Sequence, residues 1–347
     1  MGSKNINREP REYGAHHRGT MVSFMKNAIH PAALGLALLL AGCATGAAPL
    51  TQKSPPSAPP DAINPLLVWD VAPNASASPL RNFRTSDDSL KPGGDAAPSL
   101  AGLVELHAAG SGAFNTDELK QVLARLPGPV TVFDLRQESH VFVNGAPVSW
   151  FATNNWANVG RADAEIIADE DQRLRAAQPG IKLDLHDDNG VKTPGAGLPP
   201  IPIVVQSAAT EKSIVEACGA TYVRLPVADH VRPADAEVDR FIQAVRLMPA
   251  NGWAYFHCRA GKGRTTTFMA LYDMLRNARR VSLEDIAHRQ EFLGDDLDVL
   301  RPSPAGSWKI PYTDDRIAFV RAFYEYARAN PGGRPQLWSD WLKSAAE

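Results

Sequence analysis

The sequence predicts an α/β domain with a largely parallel central sheet that helices cover on both faces. Short apolar strands alternate with amphipathic helices between residues 117 and 329, and this alternation is typical of parallel sheets. Residues 80–347 are enough for one substantial hydrophobic core, and no internal repeat divides them.

Each element follows from its local pattern. Apolar residues at three- and four-residue spacing predict helices, in chain order, over Asp117–Leu126, Ala162–Ala177, Thr210–Ala217, Asp235–Met248, Ser282–Leu293 and Asp314–Ala329. Short apolar runs predict strands over Pro129–Leu135, Ile201–Gln206, Thr221–Val227 and Trp253–Phe256. Val141–Gly145 ends in Asn-Gly, which favours a hairpin turn, and the polar stretch Asp184–Pro200 is a predicted loop.

The most informative segment lies between the last of these strands and the helix after it. Cys258 and Arg264 stand at the two ends of a short glycine-containing loop, and Thr265 starts the helix. The first N–H groups of a helix lack intrahelical partners and attract anions, which favours the thiolate form of Cys258. The planar fork of Arg264 suits two phosphate oxygens, and Thr265 can hydrogen-bond the sulfur. This pattern predicts phosphate ester hydrolysis through a phosphocysteine.

Two other interpretations of this loop fail on spacing. A nucleotide-binding P-loop requires Gly where Phe256 stands and Ser or Thr where Gly263 stands. A zinc site on His257 and Cys258 lacks the second Cys or His pair that such sites use. The expected reaction needs neither a metal nor another cofactor.

A phosphocysteine mechanism also needs an acid for the leaving oxygen and then a base for water. Asp229 follows strand Thr221–Val227 in an exposed loop, at the same predicted edge of the sheet as Cys258. We therefore expect Asp229 to fill both roles. Asp235 is the better candidate for capping the following helix.

Several cations lie close to these residues. Arg259 and Lys262 are inside the loop, and His230 and Arg232 follow the predicted acid. The chain as a whole has 36 basic and 38 acidic side chains, so no global field attracts nucleic acid. A local positive funnel would favour a small substrate with several phosphates, because each contact is charge-assisted.

Five further motifs accompany the loop and give the sequence a family resemblance. They are Asn82-Phe83-Arg84-Thr85, Asp134-Leu135-Arg136-Gln137-Glu138-Ser139-His140, Asn154-Asn155-Trp156-Ala157-Asn158, Ser307-Trp308-Lys309 and Trp338-Ser339-Asp340-Trp341-Leu342-Lys343. Together with His257–Met269 and the Asp229-His230 pair, they resemble the bacterial protein-tyrosine-phosphatase-like myo-inositol phosphatases, also called cysteine phytases. The resemblance covers roughly residues 80–345.

The resemblance implies a protein-tyrosine-phosphatase-like core that hydrolyses phosphate monoesters of myo-inositol polyphosphates, phytate among them. It implies Cys258 as nucleophile, Arg264 as phosphate clamp and Asp229 as general acid, with Thr265 beside the sulfur. The residues expected to bind substrate are Arg259, Ala260, Gly261, Lys262, Gly263, His230, Arg84, Lys309 and Asn155. It also implies a small partial β-barrel insert, around residues 80–110 and 140–205.

Relatives differ at two of these positions, where some carry Asp for Asn155 and an acidic residue for Arg259. These departures leave open the order of phosphate removal and the end product, and they imply a more cationic pocket. Two alternative activities also remain open on the same core: a phosphoinositide phosphatase and a protein tyrosine phosphatase.

The N-terminus has the pattern of a secretory signal. Residues 28–42 are apolar apart from His30, with Lys26 upstream, and the run is short for a membrane span. Leu40–Cys43 resembles the bacterial lipobox, in which the cysteine is lipidated and becomes the mature N-terminus. An ordinary signal cleaved near Ala44 or Ala48 is the alternative.

These features predict the organisation of the chain. Lipidation of Cys43 would place the protein in the cell envelope of a Gram-negative-type bacterium, lipid-anchored or periplasmic and secreted, with no other membrane contact. The true start is left open between Met1, Met21 and Met25. The predicted parts are a signal (1–43), a Pro/Ala/Ser-rich tether (44–79) and the phosphatase domain (80–347).

The chain has three cysteines, which excludes a disulfide framework. If Cys43 carries lipid, Cys218 is the one cysteine left that could pair with Cys258. A small buried hydrophobe before Gly219 is the expected role of Cys218. The sequence leaves such a regulatory disulfide and the oligomeric state open.

Overall fold

The structure is a computed structural model that describes residues 56–71, 80–90, 97–187, 199–294 and 297–346. The predicted signal and Cys43 lie outside these residues. Within the described ranges, no helix combines the length and the apolar character that crossing a bilayer requires.

The strands are, in chain order, β1 (Leu66–Trp69), β2 (Arg84–Thr85), β3 (Ala108–Ser111), β4 (Val130–Arg136), β5 (His140–Val143), β6 (Ala146–Phe151), β7 (Lys182–Leu185), β8 (Ile201–Val204), β9 (Ala208–Ala209), β10 (Thr221–Val227) and β11 (Trp253–His257). The α-helices are α1 (Thr116–Arg125), α2 (Asp163–Ala176), α3 (Glu211–Ala217), α4 (Asp235–Leu247), α5 (Gly263–Asn277), α6 (Leu283–Leu293), α7 (Ile310–Ala329) and α8 (Trp338–Ala346).

The central sheet has the order β10-β4-β11-β3-β2. Its first four strands are parallel, and β2 runs antiparallel to β3 at the edge. Phe133 and Phe256 point to the face covered by α4, α5 and α7, whereas Val132 and Tyr255 point to the face of α1. The predicted mostly parallel sheet with helices on both faces is therefore confirmed.

The hairpin turn forms as the sequence predicts, whereas one helix starts earlier than predicted. Asn144 and Gly145 have φ values of 53° and 79°, which fit the turn that joins β5 to β6. Helix α7 begins at Ile310, four residues before its predicted start at Asp314. Pro311 lies in the first turn, where a proline costs no hydrogen bond, so it does not end the helix.

The remaining strands form a four-stranded antiparallel sheet, β1-β6-β5-β9, and the separate β7-β8 pair. The predicted barrel is not confirmed by these strands. Residues 84–85 and 108–111 lie in the central sheet, so the part of the expected insert around 80–110 is wrong.

The predicted tether also needs correction at its C-terminal end. Pro60–Ile63 forms a 3-10 helix, and Leu66–Trp69 is β1, which pairs with β6. Val68 and Trp69 are buried because they belong to the four-stranded sheet β1-β6-β5-β9, which we call the small sheet. The folded domain therefore includes residues that the sequence assigned to the tether.

Candidate active site

The loop from Cys258 to Gly263 joins β11 to α5 at the carboxyl edge of the parallel strands. Gly261 has a φ of +73°, and a Cβ there would lie 2.3 Å from the Gly112 nitrogen. Only glycine allows the loop to lie this close to the end of β3.

The outer side of the loop is held by donors that approach its carbonyl oxygens. Asn82 Nδ2 donates to the Ala260 oxygen at 2.8 Å, and Arg84 Nη1 donates to the Gly261 oxygen at 2.9 Å. The Ala113 amide donates to the Arg259 oxygen at 3.1 Å. Carbonyl oxygens would repel a bound anion, and these three are turned towards donors outside the pocket.

This arrangement changes the expected role of Arg84. Its side chain is buried, and it donates to the Thr266 hydroxyl at 2.9 Å as well as to the loop. It is not among the residues that line the pocket. Arg84 therefore supports the loop from behind, and its expected contact with a phosphate stays a prediction.

Cys258 lies at the bottom of the pocket and is 3% exposed. Thr265, in the first turn of α5, donates from its hydroxyl to the sulfur at 3.2 Å. The hydroxyl and the helix N-terminus both favour negative charge on this sulfur. The contact predicted between these two residues is present.

Arg264 is buried and fixed in one plane. Its Nη1 and Nη2 donate to the two oxygens of Glu138 at 2.7 and 3.0 Å, and Nη1 also donates to the Val227 oxygen at 3.1 Å. Burial alone would lower the pKa of Arg264, but Asp229 and Glu138 outweigh it and raise the pKa. The guanidinium is therefore a permanent cation beside Cys258. Glu138 belongs to the Asp134–His140 motif, and its residue type does not by itself indicate this role.

Asp229 lines the same pocket as Cys258 and Arg264, as its position after β10 predicts. Its Oδ1 lies 3.4 Å from Arg264 Nε and accepts a hydrogen bond from the His230 amide at 3.0 Å. The indole of Trp156 donates to the Asp229 carbonyl oxygen at 2.8 Å. The carboxylate is 26% exposed, so it can reach both a substrate and water.

His230 and Lys309 form one rim of the pocket. His230 adopts a left-handed φ of 67°, and its ring meets Trp308 edge-on at 5.2 Å. Burial lowers the pKa of His230, and with Lys309 and Arg264 it outweighs the opposite effect of Asp229. Lys309 Nζ lies 5.5 Å from the Trp308 ring centroid.

The pocket has a volume of about 390 Å³. Ala260, Lys262 and Gly263 of the loop line it, as expected, and so does Thr267. The side opposite the loop comes from residues that the sequence analysis missed, namely Asp298, Arg301, Ser303, Thr313 and Arg316. These residues lie in the segment that precedes and begins α7, and neither the Ser307-Trp308-Lys309 motif nor the predicted helix indicates that they reach the pocket.

Two other expected contacts lie elsewhere. Arg259 is buried, does not line the pocket, and donates from Nε to Asp70 at 2.8 Å. Asn155 is 5% exposed and also does not line the pocket; within the described chain neither of its amide atoms has a hydrogen-bond partner. The substrate contacts expected of Arg259 and Asn155 therefore stay predictions, and in this structure the Arg259 guanidinium is bound to Asp70.

A second buried cluster lies behind His257. The His257 Nε2 atom is 2.6 Å from Glu211, and His140 Nε2 lies 3.1 Å from Asp134 and 3.2 Å from Glu211. Ligand-type atoms of Asp134, His140 and Glu211 all lie within 4.8 Å of one another, so they could hold a cation. Burial alone would lower the pKa of His140, as does Arg136, but Asp134 outweighs both and raises it to about 10. A protonated His140 already compensates these carboxylates.

The two described cysteines are free thiols. Cys258 packs with the core on the α5 face of the central sheet, whereas Cys218 packs with the core on the α1 face. A disulfide between them would require the sheet to be disrupted.

Comparisons with known proteins agree with this geometry. The family model named PTP-like phytase, with the description inositol hexakisphosphate, matches residues 133–276. A solved PTP-like phytase from Bdellovibrio bacteriovorus is 39% identical with a TM-score of 0.69, over 85% of this chain and 100% of that one. A PTP-like myo-inositol phosphatase from Mitsuokella multacida, solved with myo-inositol-(1,3,4,5)-tetrakisphosphate, is 31% identical with a TM-score of 0.75, over 85% and 49% of the chains.

The effector protein hopD2 of Pseudomonas syringae pv. tomato is 33% identical over 285 residues, which are 81% of this chain. The chain spans 60% of the length of that effector.

Proposed function

The chain belongs to the PTP-like phytase family, and we propose that it hydrolyses phosphate monoesters of myo-inositol polyphosphates through a phosphocysteine. The observation that carries this proposal is the convergence of Cys258, Arg264 and Asp229 in one pocket. A thiol, a fixed guanidinium and a part-exposed carboxylate are the groups that the two chemical steps require.

In the first step the Cys258 thiolate attacks phosphorus, the S–P bond forms and the bond from phosphorus to the inositol oxygen breaks. Asp229 gives its proton to that departing oxygen. Arg264 and the loop amides bind the equatorial phosphoryl oxygens, whose charge must be stabilised in the transition state.

In the second step water attacks the phosphocysteine. Asp229, now ionised, takes a proton from this water, the S–P bond breaks and inorganic phosphate leaves. The Thr265 hydroxyl, 3.2 Å from the sulfur, stabilises the thiolate as it departs. After the second step, Cys258 is again a thiolate and Asp229 is again protonated, as at the start.

The rim supports a substrate with more than one phosphate. Lys262, His230 and Lys309 lie around the reacting centre, and Arg301 and Arg316 line the far side. Charge-assisted contacts from several of these groups would favour a substrate with several phosphates over a monophosphate. The Mitsuokella relative was solved with a myo-inositol tetrakisphosphate, a compound that carries several phosphates on one ring.

The test is phosphate release from inositol hexakisphosphate by the purified chain in the presence of a chelator. We expect release by the parent and none by Cys258→Ser, which should still bind the substrate. No release by the folded parent would refute the proposal. A preference for vesicle-borne phosphoinositides, or for phosphotyrosyl peptides, would favour one of the two alternative activities.

We also propose that Cys43 is lipidated and anchors the protein in the cell envelope. The lipobox-like Leu40–Cys43 supports this proposal. The test is metabolic labelling with a fatty acid analogue, which should label the full chain and not Cys43→Ala. Equal labelling of both would contradict it.

A further inference from the structure

A series of buried ion pairs connects the pocket to the end of β1. Arg264 is bound by Glu138, and Glu138 Oε1 also accepts from Arg136 Nε at 3.0 Å. Arg136 Nη2 then donates to Asp70 Oδ2 at 2.8 Å. Asp70 immediately follows β1. The last residue in this series of ion pairs is therefore one that the sequence assigned to the tether.

Asp70 is bound from several directions at once. Its Oδ1 accepts from Arg259 Nε at 2.8 Å and from the Ser149 hydroxyl at 2.7 Å. Its side chain is 0% exposed. Burial alone would raise the pKa of Asp70, but Arg136 and Arg259 outweigh it and lower the pKa, so the group is a carboxylate.

The balance of charge in this cluster explains why the Asp70 carboxylate affects the orientation of Arg264. Three guanidinium groups, on Arg136, Arg259 and Arg264, share the carboxylates of Asp70 and Glu138. Without Asp70, Arg136 and Arg259 would each lose one buried carboxylate partner, which is costly for a buried cation. They would compete with Arg264 for Glu138, and the plane of Arg264 would no longer be fixed.

The backbone holds Asp70 in this position. Trp69 pairs with Val148 in the small sheet, and the Asp70 amide donates to the Pro147 oxygen at 3.1 Å. The position of the carboxylate is therefore set by the small sheet, while the groups that it binds belong to the catalytic core.

We infer that Asp70 is a positioning residue: it holds Arg259 out of the pocket and, through Arg136 and Glu138, orients Arg264 for the phosphoryl group. The small sheet thus contributes to the catalytic step without touching substrate. This inference rests on the proposed function only in that Arg264 binds a phosphoryl group, whichever ester carries it.

The experiment measures kcat and KM for inositol hexakisphosphate and for an aryl monophosphate, in the full chain with Asp70→Asn. We expect kcat to fall by about ten- to a hundredfold on both substrates, with a smaller change in KM, because misorientation of Arg264 affects every phosphoryl transfer. The matched control is Asp61→Asn, which removes a carboxylate of the same segment that binds Thr153 and not the loop. Asp61→Asn should retain the parent kcat.

Two further variants keep the inference testable if Asp70→Asn folds poorly. Arg259→Gln leaves Asp70 bound by Arg136 and Ser149, so it should lower kcat less than Asp70→Asn does, without a selective rise in KM for the hexakisphosphate. Adding Arg259→Gln to Asp70→Asn should restore part of the lost kcat, because it removes one of the two cations that lost the Asp70 carboxylate.

The outcomes separate a positioning role from a purely structural one. A fall in melting temperature with kcat within about twofold of the parent would overturn the inference, since a loss of stability alone does not change the turnover of the folded fraction. A selective rise in KM for the hexakisphosphate in Arg259→Gln would also overturn it. If the parent acts on the aryl ester alone, the proposed substrate is wrong, and the role of Asp70 is still decided on that ester.

Discussion

The pocket has a floor, which consists of Cys258 and Arg264, and a rim, which includes His230 and Lys309. The two parts are built in different ways. On the floor Arg264 is buried and bound by Glu138. On the rim Lys309 is half-buried beside Trp308, which is 47% exposed. The floor can therefore fix transition-state geometry, whereas the rim can supply charge to substrates of different shape. We expect substitutions in the floor to act on kcat and those in the rim to act on KM.

The largest effect should come from Glu138→Gln, which removes the carboxylate that accepts two hydrogen bonds from Arg264. We expect kcat to fall by roughly 10²- to 10³-fold on both a polyphosphate and an aryl monophosphate, since a mispositioned donor loses transition-state stabilisation. Glu170→Gln is the control, because it breaks a comparable pair with Arg224 away from the pocket. If Glu170→Gln lowers kcat as much, the effect is one of folding and not of the floor.

Asp229→Asn should show the next largest effect, and it should depend on the leaving group. Loss of a general acid costs on the order of 10²-fold where the departing oxygen needs a proton, and much less with a good leaving group. Initial rates on an alkyl and a nitrophenyl phosphate measure this difference. Asp298→Asn removes another carboxylate of the pocket and should affect both esters alike. Equal losses on the two esters in Asp229→Asn would remove its acid role.

Lys309→Ala tests the rim and should have a smaller effect. We expect KM for inositol hexakisphosphate to rise several-fold, with kcat on a monophosphate unchanged, and the rise should shrink as salt screens the charge. Lys343→Ala removes an exposed lysine of α8 and serves as control. A fall in kcat on both substrates would place Lys309 with the floor.

The smallest effect concerns stability. The pKa of His140 is raised to about 10 by Asp134, above the ordinary value of 6.5, so the folded state favours its protonated form. This contribution is fully present below about pH 6.5 and is lost as pH rises towards 10. Denaturant unfolding at several pH values should show a parent whose stability falls over this range. His140→Gln should flatten the fall, and His107→Gln should not.

The sequence predicted the floor better than its supports. A Cys-to-Arg loop between a strand and a helix needs particular residue types at fixed spacing, so Cys258, Arg264 and Thr265 are found from the sequence alone. Asp229 follows from the rule that the ends of parallel strands share one edge. The hairpin at Asn144 and most helix boundaries follow from equally local rules.

What the sequence could not predict depends on long-range pairing. Asp70 and Arg259 are 189 residues apart, and nothing in either segment indicates the other. Glu138 had a weak signal, because it stands two residues after Arg136, near the end of β4, where residues at i and i+2 share a side. Arg84 and Arg259 were expected at the phosphate from the family pattern, and buried partners hold both elsewhere.

The central claim is that the sulfur of Cys258 becomes bonded to phosphorus during turnover. Asp229→Asn should form this intermediate from an aryl phosphate and then hydrolyse it slowly, because the base for water is missing. Acid quenching followed by peptide mass spectrometry should find a phosphoryl group on the peptide that contains Cys258. Phosphate release with that peptide unmodified, or with the phosphoryl group on another residue, would contradict the account.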